Sequence, residues 1–283
     1  MLIDCHVHMF SEDELREAGD APVVAMQRFG RDTAPVRTPE QTAAEMAEAG
    51  IDKGVLLAMP TPNLDVKRNN DEIASWVRQH PEAFVCGFGS VNVHDNFAAV
   101  QEIERCVSQL GLRGLKFHPP AQEFYPNDAF MYPIWEACVA HKLPVVIHTG
   151  TTWWGFSKIK YARPEAIDDI ACDFRDLVVI MTHWGQPWWE EALAVAWRHP
   201  NVYVDISGYG PRQVPERYLK MAGTVLQDKV LFGTDYPALG FKKFVEDYRV
   251  MCQGLAPEVV DKISSGNISR ILELGPGGTA PGT

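Results

Sequence analysis

Eight short runs rich in β-branched and aromatic residues recur along the chain, and amphipathic segments of helical pattern separate them. The runs are LIDCHVHMF (2–10), GVLLAMP (54–60), VCGFGSVN (85–92), LRGLKFHP (112–119), PVVIHTG (144–150), LVVIMTHWG (177–185), VYVDISG (202–208) and VLFGTDYP (230–237). Strands that alternate with helices form a parallel sheet, and eight such units close into a barrel. A doubly wound sheet is the alternative, but no run is followed by a GxGxxG turn. The sequence therefore predicts an α/β fold, a (β/α)8 TIM barrel.

No linker and no shift in composition divides the 283 residues, a length that is common for barrels of one domain. We predict a single barrel domain over residues 1–274. The Gly/Pro-rich tail over residues 275–283 is expected to be loose.

Two helices are marked by capping residues. Thr38, followed by Gln41 three residues later, predicts a capping box, and Gly50 predicts the helix end. Asp95 and Gly111 are expected to delimit a second helix in the same way.

The segment between Phe10 and Thr38 has no firm helix or strand pattern. A loop of that length in a compact domain is usually a lid or a binding element. Arg28, Arg31 and Arg37 lie in it and could meet an anionic substrate, although solvated charge is the commoner role for such residues.

Composition excludes several classes of protein. A formal net charge of −11 argues against a nucleic-acid partner. No apolar run has the length of a membrane span, and no basic segment followed by an apolar stretch predicts a signal peptide. The six cysteines are scattered, as is typical of thiols in a reducing compartment. We predict a cytoplasmic protein with a small-molecule substrate.

His6 and His8 are two positions apart in the first run, so a strand would point both side chains to the same face. Two converging imidazoles favour a divalent metal, because neutral imidazole is the commonest protein ligand of zinc-like ions. Two hydrogen-bonded histidines without a metal fit this segment equally well.

Further polar residues lie at the C-terminal ends of other runs: Lys116, His118, His148, His183 and Asp235. In α/β barrels these ends meet at the mouth, where active sites lie. Burying so many titratable groups without a partner is costly, and a metal removes much of that cost. The remaining histidines fall in helix ends or loops and are interpreted as surface or capping residues: His80, His94, His141 and His199.

The motifs DCHVH, GLKFHP, VVIHTG, MTHWG and LFGTDYP, in that order, resemble the amidohydrolase superfamily. More narrowly they resemble its amidohydrolase-related branch, which contains aminocarboxymuconate-semialdehyde decarboxylase and metal-dependent TIM-barrel hydrolases. The resemblance extends over nearly the whole chain, to GNISRIL in the last helix.

The resemblance implies a metal-ligand set and a cofactor. The metal ligands would be His6, His8, His148 and Asp235. His183 would act on the substrate or on bound water, and Asp235 would also serve as a catalytic base. The implied cofactor is one Zn²⁺, or Mn²⁺ in some members, and the branch often forms homodimers.

Lys116 keeps three interpretations. In binuclear members of the family a strand-four lysine is carbamylated and bridges two metals. Alternatively, Lys116 binds a charged substrate fragment, or it belongs to a structural ion pair. Substrate binding is also predicted for His118 and for two tryptophans on the loop after the fifth run, Trp153 and Trp154, which would favour a flat or aromatic substrate.

The leading prediction is a metal-dependent hydrolase, in which metal-activated water attacks the carbonyl of a C–C, ester, lactone or amide bond in a small acid or acyl thioester, aromatic ones included. The alternative is a nonoxidative decarboxylase of an aromatic or muconate-type acid. A non-catalytic metal-binding barrel is disfavoured, because it needs neither Lys116 nor His183 at the mouth.

Overall fold

The computed structural model describes residues 1–19, 36–61, 63–275 and 277–279. Each of the eight predicted runs corresponds to one strand, although β2 and β3 begin one residue before their runs. The strands are β1 Ile3–Val7, β2 Lys53–Leu57, β3 Phe84–Phe88, β4 Leu115–Phe117, β5 Val145–Ile147, β6 Val179–Met181, β7 Val202–Asp205 and β8 Val230–Leu231. They are shorter than the runs, and every run continues beyond the last residue of its strand.

All strand pairs are parallel, in the order β1-β2-β3 and β4-β5-β6-β7-β8. Two single bridges join these groups, between Val7 and Tyr236 and between Gly89 and Leu115. The peptide N–H of Cys5 also donates to the carbonyl of Phe232 at 3.0 Å. The sheet is therefore closed, and the predicted TIM barrel is confirmed.

Helices follow the strands around the outside of the barrel. They are α1 Glu12–Ala18, α2 Pro39–Ala49, α3 Val66–Gln79, α4 Asn96–Ser108, α5 Pro119–Gln122, α6 Tyr132–Ala140, α7 Glu165–Asp173, α8 Trp189–Arg198, α9 Glu216–Ala222, α10 Phe241–Cys252, α11 Pro257–Asp261 and α12 Asn267–Ile271. Thr38 and Gln41 form the predicted capping box of α2, and Gly50 ends it with φ 83°. Asp95 caps α4, which ends at Ser108, before the predicted Gly111.

The prediction for the segment between Phe10 and Thr38 was wrong at its beginning. Ser11 accepts a hydrogen bond from the peptide N–H of Glu14, and this capping box begins helix α1. Arg37 forms an ion pair with the carboxylate of Glu45 at 2.9 Å. Arg28 and Arg31 lie outside the described residues, as does part of the tail predicted to be loose.

The apolar core has two parts. The larger packs the helices against the outside of the barrel. The smaller combines side chains of six strands with Ile268 and Leu272 near the end of the chain, and it fills the barrel interior. Among the described helices, none is both long and apolar enough to cross a membrane.

Candidate active site

The strand ends bring the predicted site residues together, and all of them except Trp153 are buried. His6 lies in β1 and His8 follows it by two residues, while His148 comes directly after β5. His183 and Asp235 lie a few residues beyond β6 and β8. Parallel strands end at the same edge of a barrel, so residues distant in sequence converge at its mouth.

The ring nitrogens of His6 and His8 face each other at this mouth. Their Nε2 atoms are 3.1 Å apart, and Asp235 Oδ1 lies 3.4 Å from the first and 3.7 Å from the second. The Nδ1 atoms are 2.7 Å from Asp205 Oδ2 and 2.8 Å from the Leu57 carbonyl oxygen. Since both acceptors require an N–H on Nδ1, both Nε2 atoms of the neutral rings present lone pairs. Two lone pairs and a carboxylate oxygen this close together form a donor set that a cation can occupy.

A chain of hydrogen bonds fixes a third imidazole. Ser207 Oγ donates to Asp205 Oδ1 at 2.5 Å, so it accepts from Nδ1 of His183 at 2.9 Å. His183 Nε2 then accepts from Nδ1 of His148 at 3.2 Å. The remaining nitrogen, His148 Nε2, is buried and has no hydrogen-bond partner among the described residues. It therefore presents a third lone pair.

Two residues compete to complete the donor set. The ligand atoms of His6, His183 and Asp235 all lie within 4.8 Å of one another, which favours His183 by proximity. The hydrogen-bond chain favours His148, because its Nε2 is unpartnered whereas both nitrogens of His183 have protein partners. His148 therefore fits the donor set better, since a metal ligand must offer a lone pair that no protein group already occupies.

Burial keeps the site histidines neutral. It lowers the pKa of four imidazoles well below the usual value, and the charge of Lys116 adds to the effect: His6, His8, His148 and His183. The same causes lower the pKa of His118 to about 3. Neutral imidazoles are the form that binds metals, so the donor set fits a divalent cation.

Lys116 lies against this donor set. Its Nζ is 3.3 Å from His6 Nε2, and within the described ranges no carboxylate oxygen lies within 4.0 Å of it, so no direct ion pair forms. Burial lowers the pKa of the Lys116 ammonium and raises that of the Asp235 carboxyl, because each charged form loses water. Bridging and substrate binding stay open for Lys116.

Backbone conformation sets the direction of two site residues. His183 has φ 60° and Asp235 has φ 65°, left-handed values that are uncommon for residues other than glycine. Gly208 approaches His183 so closely that a Cβ atom there would lie 2.6 Å from Nδ1. Strained backbone of this kind clusters at functional sites.

Aromatic rings form one wall of the mouth. Trp154 stacks on His118 with ring centroids 4.8 Å apart, and His118 stacks on His148 at 4.0 Å. Trp153 instead lines a cavity of about 540 Å³ that also includes Gly208 and Tyr209. Trp154 therefore supports His148 through His118, and Trp153 faces open space beside the site.

The comparison with known families agrees with this geometry. The model of the family described as Amidohydrolase matches residues 3–274. This chain belongs to the amidohydrolase family. It is an enzyme of that superfamily, and the resemblance read from the ordered motifs is confirmed.

Three curated relatives match parts of the amidohydrolase chain. They are 2-amino-3-carboxymuconate-6-semialdehyde decarboxylase of Dictyostelium discoideum (33% identical over 92 residues), gamma-resorcylate decarboxylase of a Polaromonas strain (32% over 92) and 2-keto-4-carboxy-3-hexenedioate hydratase of a Sphingobium strain (30% over 145). The matches cover 32%, 30% and 49% of this chain, but only 25%, 28% and 40% of the relatives.

Solved structures match over nearly the whole amidohydrolase chain. An uncharacterized TIM-barrel protein from Bordetella bronchiseptica has a TM-score of 0.81 and 26% identity, covering 96% of this chain and 98% of that one. A dihydroxybenzoic acid decarboxylase from Polaromonas, solved with manganese and 2-nitroresorcinol, has a TM-score of 0.74 and 19% identity, covering 98% of each chain. The second likeness shows the fold alone.

Sequence reasoning missed the residues that orient the imidazoles of this amidohydrolase. Asp205 holds His6, and Ser207 links Asp205 to His183. Asp4 accepts hydrogen bonds from the peptide N–H groups of His6 and Thr234, and so joins β1 to the end of β8. Asp205 ends its strand in the run VYVDISG, so the strand-end rule applied to the histidines could have found it.

We expect Asp205→Asn to weaken divalent-metal binding about 10- to 100-fold, the usual cost of losing a hydrogen-bond partner of a ligating histidine. The Asp205 carboxylate accepts from His6, from Ser207 twice and from the His183 peptide N–H, whereas an amide presents one oxygen and a competing NH₂. Metal titration by calorimetry measures the effect, and Asp228→Asn at the surface is the matched control. If Asp205→Asn bound the divalent metal with wild-type affinity, Asp205 would not be the residue that orients His6 for metal binding.

Proposed function

We propose that this amidohydrolase-family enzyme is a divalent-metal-dependent, nonoxidative decarboxylase of a small aromatic or muconate-type carboxylic acid. Two of its three matched curated relatives are named as decarboxylases, of muconate-semialdehyde and resorcylate type. The observation that carries the proposal is the convergence of bare imidazole nitrogens and one carboxylate at an aromatic-walled barrel mouth.

The residues proposed to hold the ion are His6, His8, His148 and Asp235. Three nitrogens and a carboxylate oxygen accept Zn²⁺ or Mn²⁺. The manganese in the dihydroxybenzoic acid decarboxylase supports Mn²⁺ beside the predicted Zn²⁺. When bound, the cation supplies positive charge that binds the substrate carboxylate or a neighbouring hydroxyl.

The protein's own groups would bind and orient the acid. The ammonium of Lys116, buried 3.3 Å from His6 Nε2, attracts an anionic substrate group into the mouth. The rings of Trp154 and Trp153 are proposed to restrict the substrate to a flat shape and to exclude water. His118 keeps its Nδ1 occupied, since it accepts from the peptide N–H of Ala121 at 3.2 Å.

Proton transfer is assigned to Asp235. As carbon dioxide leaves, the electron pair of the broken C–C bond stays on the ring or muconate carbon, and a proton must replace the lost group. Oδ1 of Asp235 faces both histidine Nε2 atoms and would hold the ion, so the other carboxyl oxygen, Oδ2, is the atom assigned to hold that proton for the reacting carbon. His183 is proposed to accept a hydrogen bond from a substrate hydroxyl through Nε2, in exchange for its long contact with His148.

The hydrolase prediction has weaker support than its alternative. The matched curated relatives are named as two decarboxylases and a hydratase, and a hydratase adds water without splitting a carbonyl derivative. Hydrolysis and hydration are the competing reactions, and isotope incorporation distinguishes both from decarboxylation. The predicted homodimer stays a prediction.

Isotope incorporation separates the reactions. With an aromatic or muconate-type acid as substrate, we expect release of carbon dioxide, one non-exchangeable deuterium in product formed in D₂O, and no oxygen-18 in product formed in H₂¹⁸O. The reason is that decarboxylation consumes a proton and no water. Mass spectrometry of the product measures both labels. Oxygen-18 in the product, with no carbon dioxide released, would identify a hydrolase or hydratase instead.

A further inference from the structure

A second group of metal-ligating side chains lies outside the barrel mouth. Asp168 and Cys172 are four positions apart on α7, so they share one face of that helix. His199 directly follows the last residue of α8 and comes up against the same face. One ligand atom of each of the three residues lies within 4.8 Å of those of the other two.

The contacts of this group are consistent with an ion site. His199 is buried, and its Nε2 lies 2.6 Å from Asp168 Oδ1. Cys172 is an exposed free thiol. The guanidinium of Arg198 contacts both oxygens of Asp168, at 3.0 and 2.8 Å, but 59% of its side chain is exposed, so it can move away. A cavity of about 590 Å³, lined in part by Asp168, Val195 and Arg198, gives access to the carboxylate.

We propose that Asp168, Cys172 and His199 form a Zn²⁺ site that ties α7 to α8. A thiolate, an imidazole and a carboxylate, with water in the fourth position, form a tetrahedral donor set for zinc. Binding displaces Arg198 and releases the proton of the thiol, while the neutral ring of His199 binds through a nitrogen lone pair and keeps its proton on the other nitrogen. The Asp168–His199 contact then lengthens to roughly 3.4 Å, the separation of two ligands on one tetrahedral zinc.

The thiol of Cys172 distinguishes the proposed zinc site from a simple ion pair and from the barrel site. An ion pair of Asp168 with Arg198 and His199 would form without any contribution from Cys172. The barrel site, in turn, has only nitrogen and oxygen donors, so a sulfur–metal bond belongs to the outer site alone. Sulfur also favours zinc over manganese, which prefers oxygen and nitrogen ligands.

Metal counting and cobalt spectroscopy test the proposal on the full chain. With excess Zn²⁺, we expect wild type to hold one ion more per chain than Cys172→Ser. Co²⁺-loaded wild type should show a near-ultraviolet sulfur-to-cobalt charge-transfer band that Cys172→Ser lacks. Cys252→Ser is the matched control, because it removes a half-buried thiol elsewhere and should keep both the ion and the band. His199→Gln should lose the same ion as Cys172→Ser.

The zinc count and the cobalt band report on the outer site whether or not the barrel site binds an ion. A His8→Asn background weakens the barrel site equally in both samples, and adding Cys172→Ser to that background should still lower the count by one ion. Equal zinc counts in wild type and Cys172→Ser, or a charge-transfer band that survives in Cys172→Ser, would overturn the outer site. Loss of turnover in His8→Asn alone concerns the proposed decarboxylase and not this site.

Discussion

Removal of the divalent ion from the barrel site is expected to lower kcat at least about a thousandfold, because the ion contributes several kcal/mol of charge stabilisation and each ~1.4 kcal/mol is a factor of ten. The Nε2 atoms of His6 and His8, 3.1 Å apart and both without a proton, are two of the donor atoms proposed to hold that ion. Dialysis against a chelator, followed by rate measurement and readdition of Mn²⁺ or Zn²⁺, tests it.

The substitution His8→Asn should have the same effect as the chelator. It removes one lone pair and should weaken metal binding by more than the about 10- to 100-fold that losing an outer hydrogen-bond partner costs. Treating His8→Asn with chelator should then reduce the rate little further, since both changes remove the same ion. His141→Asn, at the end of α6 and paired with Glu104, is the matched control. A chelated wild type that works at full rate would refute the metal-dependent mechanism.

The barrel and most of its mouth could be predicted because two local rules coincide. Alternating strand and helix patterns specify the closed parallel sheet, and the ends of parallel strands meet whatever their separation in sequence. His6, His148, His183 and Asp235 could therefore be placed together with no knowledge of their contacts. The rule that strand ends meet at the mouth also places Asp205 there, because Asp205 is the last residue of β7.

Other features depend on pairings that no local pattern encodes. Asp205 contacts His6 across 199 positions, and the tautomers of the rings follow only from that contact, from the Leu57 carbonyl and from Ser207. His199 caps α8, as its position at a helix end predicts. Its contact with Asp168, which brings it into the proposed zinc site, could not be predicted from the local sequence. Helix α1 was missed because its capping box, Ser11 with Glu14, precedes a short segment with little apolar periodicity.

Substitution of His183 and of His148 by asparagine should have different effects. His183→Asn is expected to keep the metal and to lower kcat about 10²- to 10⁴-fold, the usual contribution of one proton-transferring or hydrogen-bonding side chain. His148→Asn should lose metal affinity, because it removes the unpartnered Nε2 lone pair. Asparagine suits the comparison, since it tolerates the left-handed backbone of residue 183 better than alanine does.

Metal content by mass spectrometry and kcat, measured on both variants with matched melting temperatures, distinguish the two arrangements. Metal loss in His183→Asn with retention in His148→Asn would make His183 the ligand, as its 4.8 Å grouping with His6 and Asp235 allows. Unchanged turnover in metal-loaded His183→Asn would instead remove that residue from catalysis. Because His183 Nε2 accepts the hydrogen bond of His148 Nδ1, the metal retained by His183→Asn should bind about 10- to 100-fold more weakly than in wild type, whereas His148→Asn should lose it.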